Sequence, residues 1–171
     1  MLFCFDHLIL VNTYYFRTHR HPVSAVPSLC SLVKSLSQVY YENESRDDAL
    51  LGKKVRDLSA KYLIQCVNDI EKSKLPCSHI HYEELTTNPI SVVKSIYKEY
   101  GWDFSAEYES ILEKYLQKNK EDREKAKMEQ AKSKDVLHHY SPEEFSLTAE
   151  ELTTGNFEKY VQMFKVPMSK N

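Results

Sequence analysis

At 171 residues, 42% of them hydrophobic, the chain is long enough for one domain with a real core and short for two. A formal net charge of −2 excludes the overall basic field that draws nucleic acid or an anionic membrane, so any anion binding has to be local. The three glycines, Gly52, Gly101 and Gly155, stand far apart. That spacing excludes every glycine-rich phosphate loop, which needs two glycines a few residues apart followed by Lys-Ser/Thr.

Met1 to Val11 is apolar but carries Asp6 and His7, and it has no basic leader and no small-residue cleavage site. It reads as neither signal peptide nor membrane span. No other run approaches the ~20 apolar residues of a span, so the chain as written is expected to be cytoplasmic. Val11 to Thr18 is rich in β-branched and aromatic residues and ends at a turn, His19-Arg20-His21-Pro22, which predicts a buried strand. From Pro22 to about Tyr41 the positions Val26, Leu29, Cys30, Val33, Leu36 and Val39 or Tyr40 recur at three and four, the face of a helix. Pro27 requires that helix either to start late or to bend beside Ser28.

Asn43 to Asp48 is a polar loop. The positions Leu51, Val55, Leu58, Tyr62, Leu63, Cys66, Val67 and Ile70 then predict the longest clean amphipathic helix, closed by Pro76. Cys77 to Tyr82 reads as a second strand with Glu83-Glu84-Leu85 at its exit. Asn88-Pro89 opens another helix through Tyr100, with Gly101 as its C-cap. Strand, helix, helix, strand, helix implies parallel pairing by crossover and so an α/β layer.

The last third is helical in pattern. Ser105 to about Lys134 carries an apolar stripe at Tyr108, Ile111, Leu112, Tyr115 and Leu116, then a charge-dense run over 118–134 that reads as a solvated helix or connector. Ser141-Pro142-Glu143-Glu144 and Thr148-Ala149-Glu150-Glu151 both have capping-box form, predicting a short helix at Phe145 and a terminal one through Phe164. Cys4, Cys30, Cys66 and Cys77 lie far apart in otherwise apolar stretches and are expected to be reduced core residues.

Two constellations carry chemistry. Arg20 stands at the carboxyl end of a strand and Ser28 follows eight positions later, near the start of a helix. A bidentate guanidinium, free helix N–H groups and a hydroxyl together make a phosphate site. The alternating pairs His19/His21 and His79/His81 could project to one side of a strand, as metal ligands sometimes do, but a third ligand is not evident and no metal is assigned.

At Thr18-His19-Arg20-His21-Pro22 with Ser28, at His81-Tyr82-Glu83-Glu84-Leu85-Thr86-Thr87-Asn88-Pro89, and at His139-Tyr140-Ser141-Pro142-Glu143-Glu144-Phe145, the chain resembles sulfotransferases, notably the broad group with a Thr-His-Arg-Asp-Pro element. The resemblance runs from about Asn12 to Phe164. It implies a single P-loop-like three-layer α/β domain over 1–171, N-terminally incomplete, with a few parallel strands covered by helices and a helix-rich C-terminal half. It also implies a donor, 3′-phosphoadenosine 5′-phosphosulfate, with Arg20 and Ser28 on the 3′-phosphate and Tyr82 near the nucleotide. The acceptor would offer a hydroxyl or an amine.

The chain departs from that pattern in three places. The family's first strand and glycine-containing loop, whose Lys and Ser/Thr grip the 5′-phosphosulfate, have no counterpart ahead of Val11. The run 118–134 offers lysines but no glycine where the family closes on the 3′-phosphate, and His21 replaces the usual Asp. These departures imply a C-terminal portion of the fold, impaired in transfer by itself. The catalytic base is left unassigned: His7, in a Phe-Asp-His-Leu context like the family's Pro-x-His-Leu element, stands only thirteen residues before Arg20, and a surface or packing histidine is the alternative. The alternatives are a non-catalytic helical interaction module or a degenerate fragment, with a homo-oligomer covering exposed strand edges. Full-length relatives could be anchored in the Golgi membrane.

Overall fold

The computed structural model describes residues 14–40, 47–73, 76–132 and 141–168. The elements in chain order are β1 (Tyr15–His19), α1 (Pro22–Tyr40), α2 (Asp48–Ser73), β2 (Cys77–His81), α3 (Tyr82–Thr87), α4 (Pro89–Glu99), α5 (Ala106–Lys132), a 3-10 helix (Pro142–Phe145) and α6 (Asn156–Phe164). Cys4, His7, Val11 to Thr13, most of the polar loop after Asn43, and His139-Tyr140 lie outside the described residues.

β1 and β2 pair in parallel, with Tyr15 opposite Cys77 and His19 opposite His81, as the strand–helix–helix–strand order requires. Alternation along the strands sorts their side chains onto two faces. One face carries Arg17, His19, His79 and His81 and meets α2 and α6, through Arg17 on Cys66 and His19 on Tyr160. The other carries Ser78 and Ile80 and meets the end of α4, where the Ser78 hydroxyl bonds Glu99 and Tyr100 at 2.7 and 2.8 Å. The result is helix-rich α/β, with a two-stranded parallel sheet among the described residues.

The expectation of a buried first strand fails. Tyr15, Phe16 and Thr18 are exposed and only His19 is buried. β1 has a single strand neighbour among the described residues. Tyr14 and Phe16 instead stack edge-on against Tyr100 and Trp102.

The core is organised around α2. Its Val55 packs with Val26 and Cys30 of α1 and with Phe145, Leu147, Leu152 and Phe157. Its Val67 packs with Tyr160, Phe164 and Val166. At Gly52 the helix passes so close to the 3-10 helix that an added Cβ would sit 2.2 Å from the Phe145 carbonyl oxygen. Glycine is there for close approach, which the sequence alone did not reveal. Lys34 clamps the assembly from α1, bonding Asp48 at 2.7 Å and Glu144 at 3.1 Å.

One alternative is decided and two local expectations are corrected. α1 starts at Pro22 and contains Pro27, which removes the late start and leaves the bend beside Ser28. Its apolar stripe is about 120° wide at 100° per residue, and only the Val26–Cys30 edge is covered, which leaves Leu29 and Leu36 exposed. The second strand stops at His81, and Tyr82 opens α3. The Thr148–Glu151 capping box forms, with each backbone N–H bonded to the other side chain, but no regular helix follows it. Thr153 and Thr154 hydroxyls take the Ala149 and Glu150 carbonyls, and Gly155 at φ +64° turns the chain, so α6 begins only at Asn156.

Candidate functional site

The parallel register decides the site. Because His19 lies opposite His81, the residues that follow, Arg20 and Tyr82, leave the sheet side by side at its carboxyl end. The Arg20 guanidinium carbon sits 4.8 Å from the Tyr82 ring centroid, a cation–π contact. Arg20 is partly buried and Tyr82 is 39% exposed, so part of the pair remains available to solvent.

His21 then starts α1. Its carbonyl accepts from Ser24 and Ala25 N–H at 3.0 and 2.9 Å, and its Nδ1 accepts from Val23 N–H at 3.3 Å. The imidazole thus does the capping that an aspartate would do at this position, provided Nδ1 carries no proton. Burial holds its pKa below the usual value, which favours that state, while the Glu83 carboxylate opposes the shift.

Behind Arg20 lies a buried polar chain. The Arg20 backbone N–H bonds the Tyr160 phenol oxygen. The phenol proton is then free for His19 Nδ1, 2.9 Å away, and His19 Nε2 for His79 Nδ1 at 2.8 Å. His19 also stacks on Phe164 with ring centroids 4.2 Å apart. Burial, with the neighbouring His79, Arg17 and His81 charges, pushes the His19 pKa down to about 4, and burial pushes the Tyr160 phenol up to about 12. Both groups are therefore neutral near pH 7, as the hydrogen-bond chain needs. His81 Nε2 bonds the Phe164 carbonyl at 2.8 Å.

His19 has both ring nitrogens engaged, and His21 caps a helix. Among the described residues no group of three His, Cys, Asp or Glu stands in ligating arrangement. Cys30, Cys66 and Cys77 are free thiols, and burial raises the pKa of each.

Of the residues singled out by sequence, Arg20 and Tyr82 are brought together. Ser28 lies in the second turn of α1, about 9 Å along the axis from Pro22. The helix face Phe157, Tyr160, Phe164 is visible in the spacing, but that Tyr160 holds the Arg20 backbone is not, since the two are far apart in sequence.

A family model described as the sulfotransferase family matches residues 9–106, a segment that contains Arg20, Ser28 and Tyr82. Among solved structures, that of sulfotransferase STF9 from Mycobacterium avium matches with a TM-score of 0.66 at 22% identity, over 90% of this chain and 36% of that one. The chain therefore spans little more than a third of that neighbour. No curated protein matches.

Proposed function

The chain belongs to the sulfotransferase family, and from that premise we propose that it carries the nucleotide-binding part of a sulfuryl-transfer site. The donor would be 3′-phosphoadenosine 5′-phosphosulfate. Arg20 and Ser28 would hold its 3′-phosphate, and the open face of Tyr82 would lie against the nucleotide. The observation that carries this reading is the Arg20–Tyr82 pair at the shared carboxyl end of two parallel strands, beside the start of α1. A fixed cation and a flat aromatic surface fit a phosphate joined to a nucleoside.

Sulfuryl transfer should resemble phosphoryl transfer, in which positioning and charge neutralisation dominate. The donor supplies the transferable group; this chain's share is to anchor and orient its nucleotide end. Arg20 and Ser28 together contribute roughly 3 to 6 kcal/mol, against about 4 for millimolar affinity. With only three dispersed glycines, these 171 residues lack a glycine-rich loop for the sulfate end. By themselves they should bind nucleotide weakly and turn over a hydroxyl or amine acceptor poorly.

Titrating adenosine 3′,5′-bisphosphate while following the melting temperature tests the reading. Stabilisation that disappears in Arg20→Ala supports it; a cooperative melt unmoved at millimolar ligand overturns it.

One observation favours a second reading, a non-catalytic interaction module. Phe16 on β1 and Leu29, Leu32 and Leu36 on α1 are exposed. Association of two copies over these surfaces would cover them. Light scattering after size-exclusion chromatography separates the readings, since a monodisperse monomer removes this one.

A further inference from the structure

A second site adjoins the first. Between the end of α3, the start of α4 and the middle of α5 lies a cleft of about 440 Å³, lined by Leu85, Thr86, Pro89, Leu116, Asn119, Lys120, Arg123, Glu124 and Lys127. That volume is within the range of small-ligand sites. Lys120, Arg123 and Lys127 recur at three and four along α5 and so form one row, with rises of about 4.5 and 6 Å.

The charge of this wall is not the ordinary balance of a solvated helix. Glu124 stands within helical pairing distance of both lysines, yet among the described residues none of the three cations makes an ion pair, whereas Lys34, Arg56 and Lys94 elsewhere all do. A neighbouring groove on the same helix is lined by Glu113, Lys114, Gln117, Lys118 and Glu121, two cations against two carboxylates. The first cleft has three against one. Its apolar floor, Leu85, Pro89 and Leu116, lowers the local dielectric and strengthens the field of the row.

The cleft is also placed to matter. Leu85 and Thr86 lie one turn along α3 from Tyr82, and the Thr86 hydroxyl donates to the Tyr82 carbonyl at 3.0 Å. No lining residue belongs to the Arg20–Ser28 pair, so an anion here is a further group from that held by Arg20.

We infer that this cleft is an acceptor subsite for an acidic sugar, with Lys120, Arg123 and Lys127 taking its carboxylate or sulfate groups and Thr86 and Asn119 facing its hydroxyls. This rests on the sulfotransferase reading, which requires an acceptor beside the nucleotide. A peptide is disfavoured because the lining elements are helices, whose backbone groups are already bonded and offer no strand edge to extend.

The test is calorimetric titration at low salt with a chondroitin sulfate tetrasaccharide, with neutral maltotetraose and an oligothymidylate of equal charge as controls. The tetrasaccharide should bind while maltotetraose does not. Lys120→Glu with Lys127→Glu should weaken it about a hundredfold, one decade per charge-assisted contact, while leaving the bisphosphate thermal shift intact. Both residues are exposed; Arg123→Glu repeats the test should the double variant lose its helical circular dichroism.

No binding by the unmodified chain, unchanged binding in the variants, or equal binding of oligothymidylate overturns the inference. So does loss of the bisphosphate shift in the variants, which would give the cleft to the donor. If the unmodified chain shows no bisphosphate shift but binds the tetrasaccharide through these lysines, the donor reading fails and the acidic-sugar site stands.

Discussion

α2 and α5 are nearly the same length, 26 and 27 residues, and meet opposite fates. α2 contributes to both core clusters and is approached by α1, the 3-10 helix and α6. α5 has no buried side chain among its described residues; Ile111 and Tyr115, in its predicted apolar stripe, are 55% and 62% exposed. It leans on α4 near its start, where Tyr97 stacks on Tyr108 and Lys94 bonds Glu109, and continues as a charged rod. An apolar stripe therefore does not by itself bury a helix. It needs partners, and a helix without them is left to display its charges, which here are the wall of the cleft.

Removing a ring that α2 packs against should break that contrast most. Phe145→Ala empties a fully buried site between α1 and α2 and should cost about 3 to 5 kcal/mol, lowering Tm by on the order of 10 °C. Acid comes next. His19 has a folded pKa of about 4 against 6.5 unfolded, so as pH falls below 6.5 the unfolded chain takes the proton first. Stability should decline between about pH 6.5 and 4 by up to roughly 3 kcal/mol and then level off. Burial shifts His21 and His79 in the same direction. Urea melts across that range check it, and His19→Asn should flatten the dependence.

Gly52→Ala sharpens the comparison from inside α2. Alanine favours helix, yet its Cβ would strike the Phe145 carbonyl, so the variant should lose about 1 to 3 kcal/mol in a denaturant melt. The smallest effect belongs to α5. Tyr115→Ala should change stability by less than about 0.5 kcal/mol, and a larger loss would mean that α5 has a partner surface absent from the contacts described.

The strands, α1, α2, α4 and α5 were legible because each depends on local spacing. Helix periodicity was plain at Val55 to Ile70, and Pro89 and Gly101 marked the ends of α4. The place of Arg20 was legible because a strand end before a helix is a local arrangement. Tyr82 entered through the family resemblance, and only the β1–β2 register explains its contact with Arg20. Tyr160 and His79 were not legible as supports of Arg20, because their hydrogen bonds join residues 60 and 141 positions from His19. The capping box at Thr148 misled, because a satisfied first turn does not ensure a second when threonine hydroxyls and Gly155 follow.

By itself the sequence determined which segments are helix or strand, that the strands run parallel, and that Arg20 stands at a strand end ahead of a helix, since these follow from periodicity, chain connectivity and local chemistry. Only the tertiary structure decided which stripes are covered, that β1 lies open, that His21 caps α1 and that Lys120, Arg123 and Lys127 face a cleft. Burial and charge balance belong to pairs of elements, and no spacing within one element specifies what packs against it.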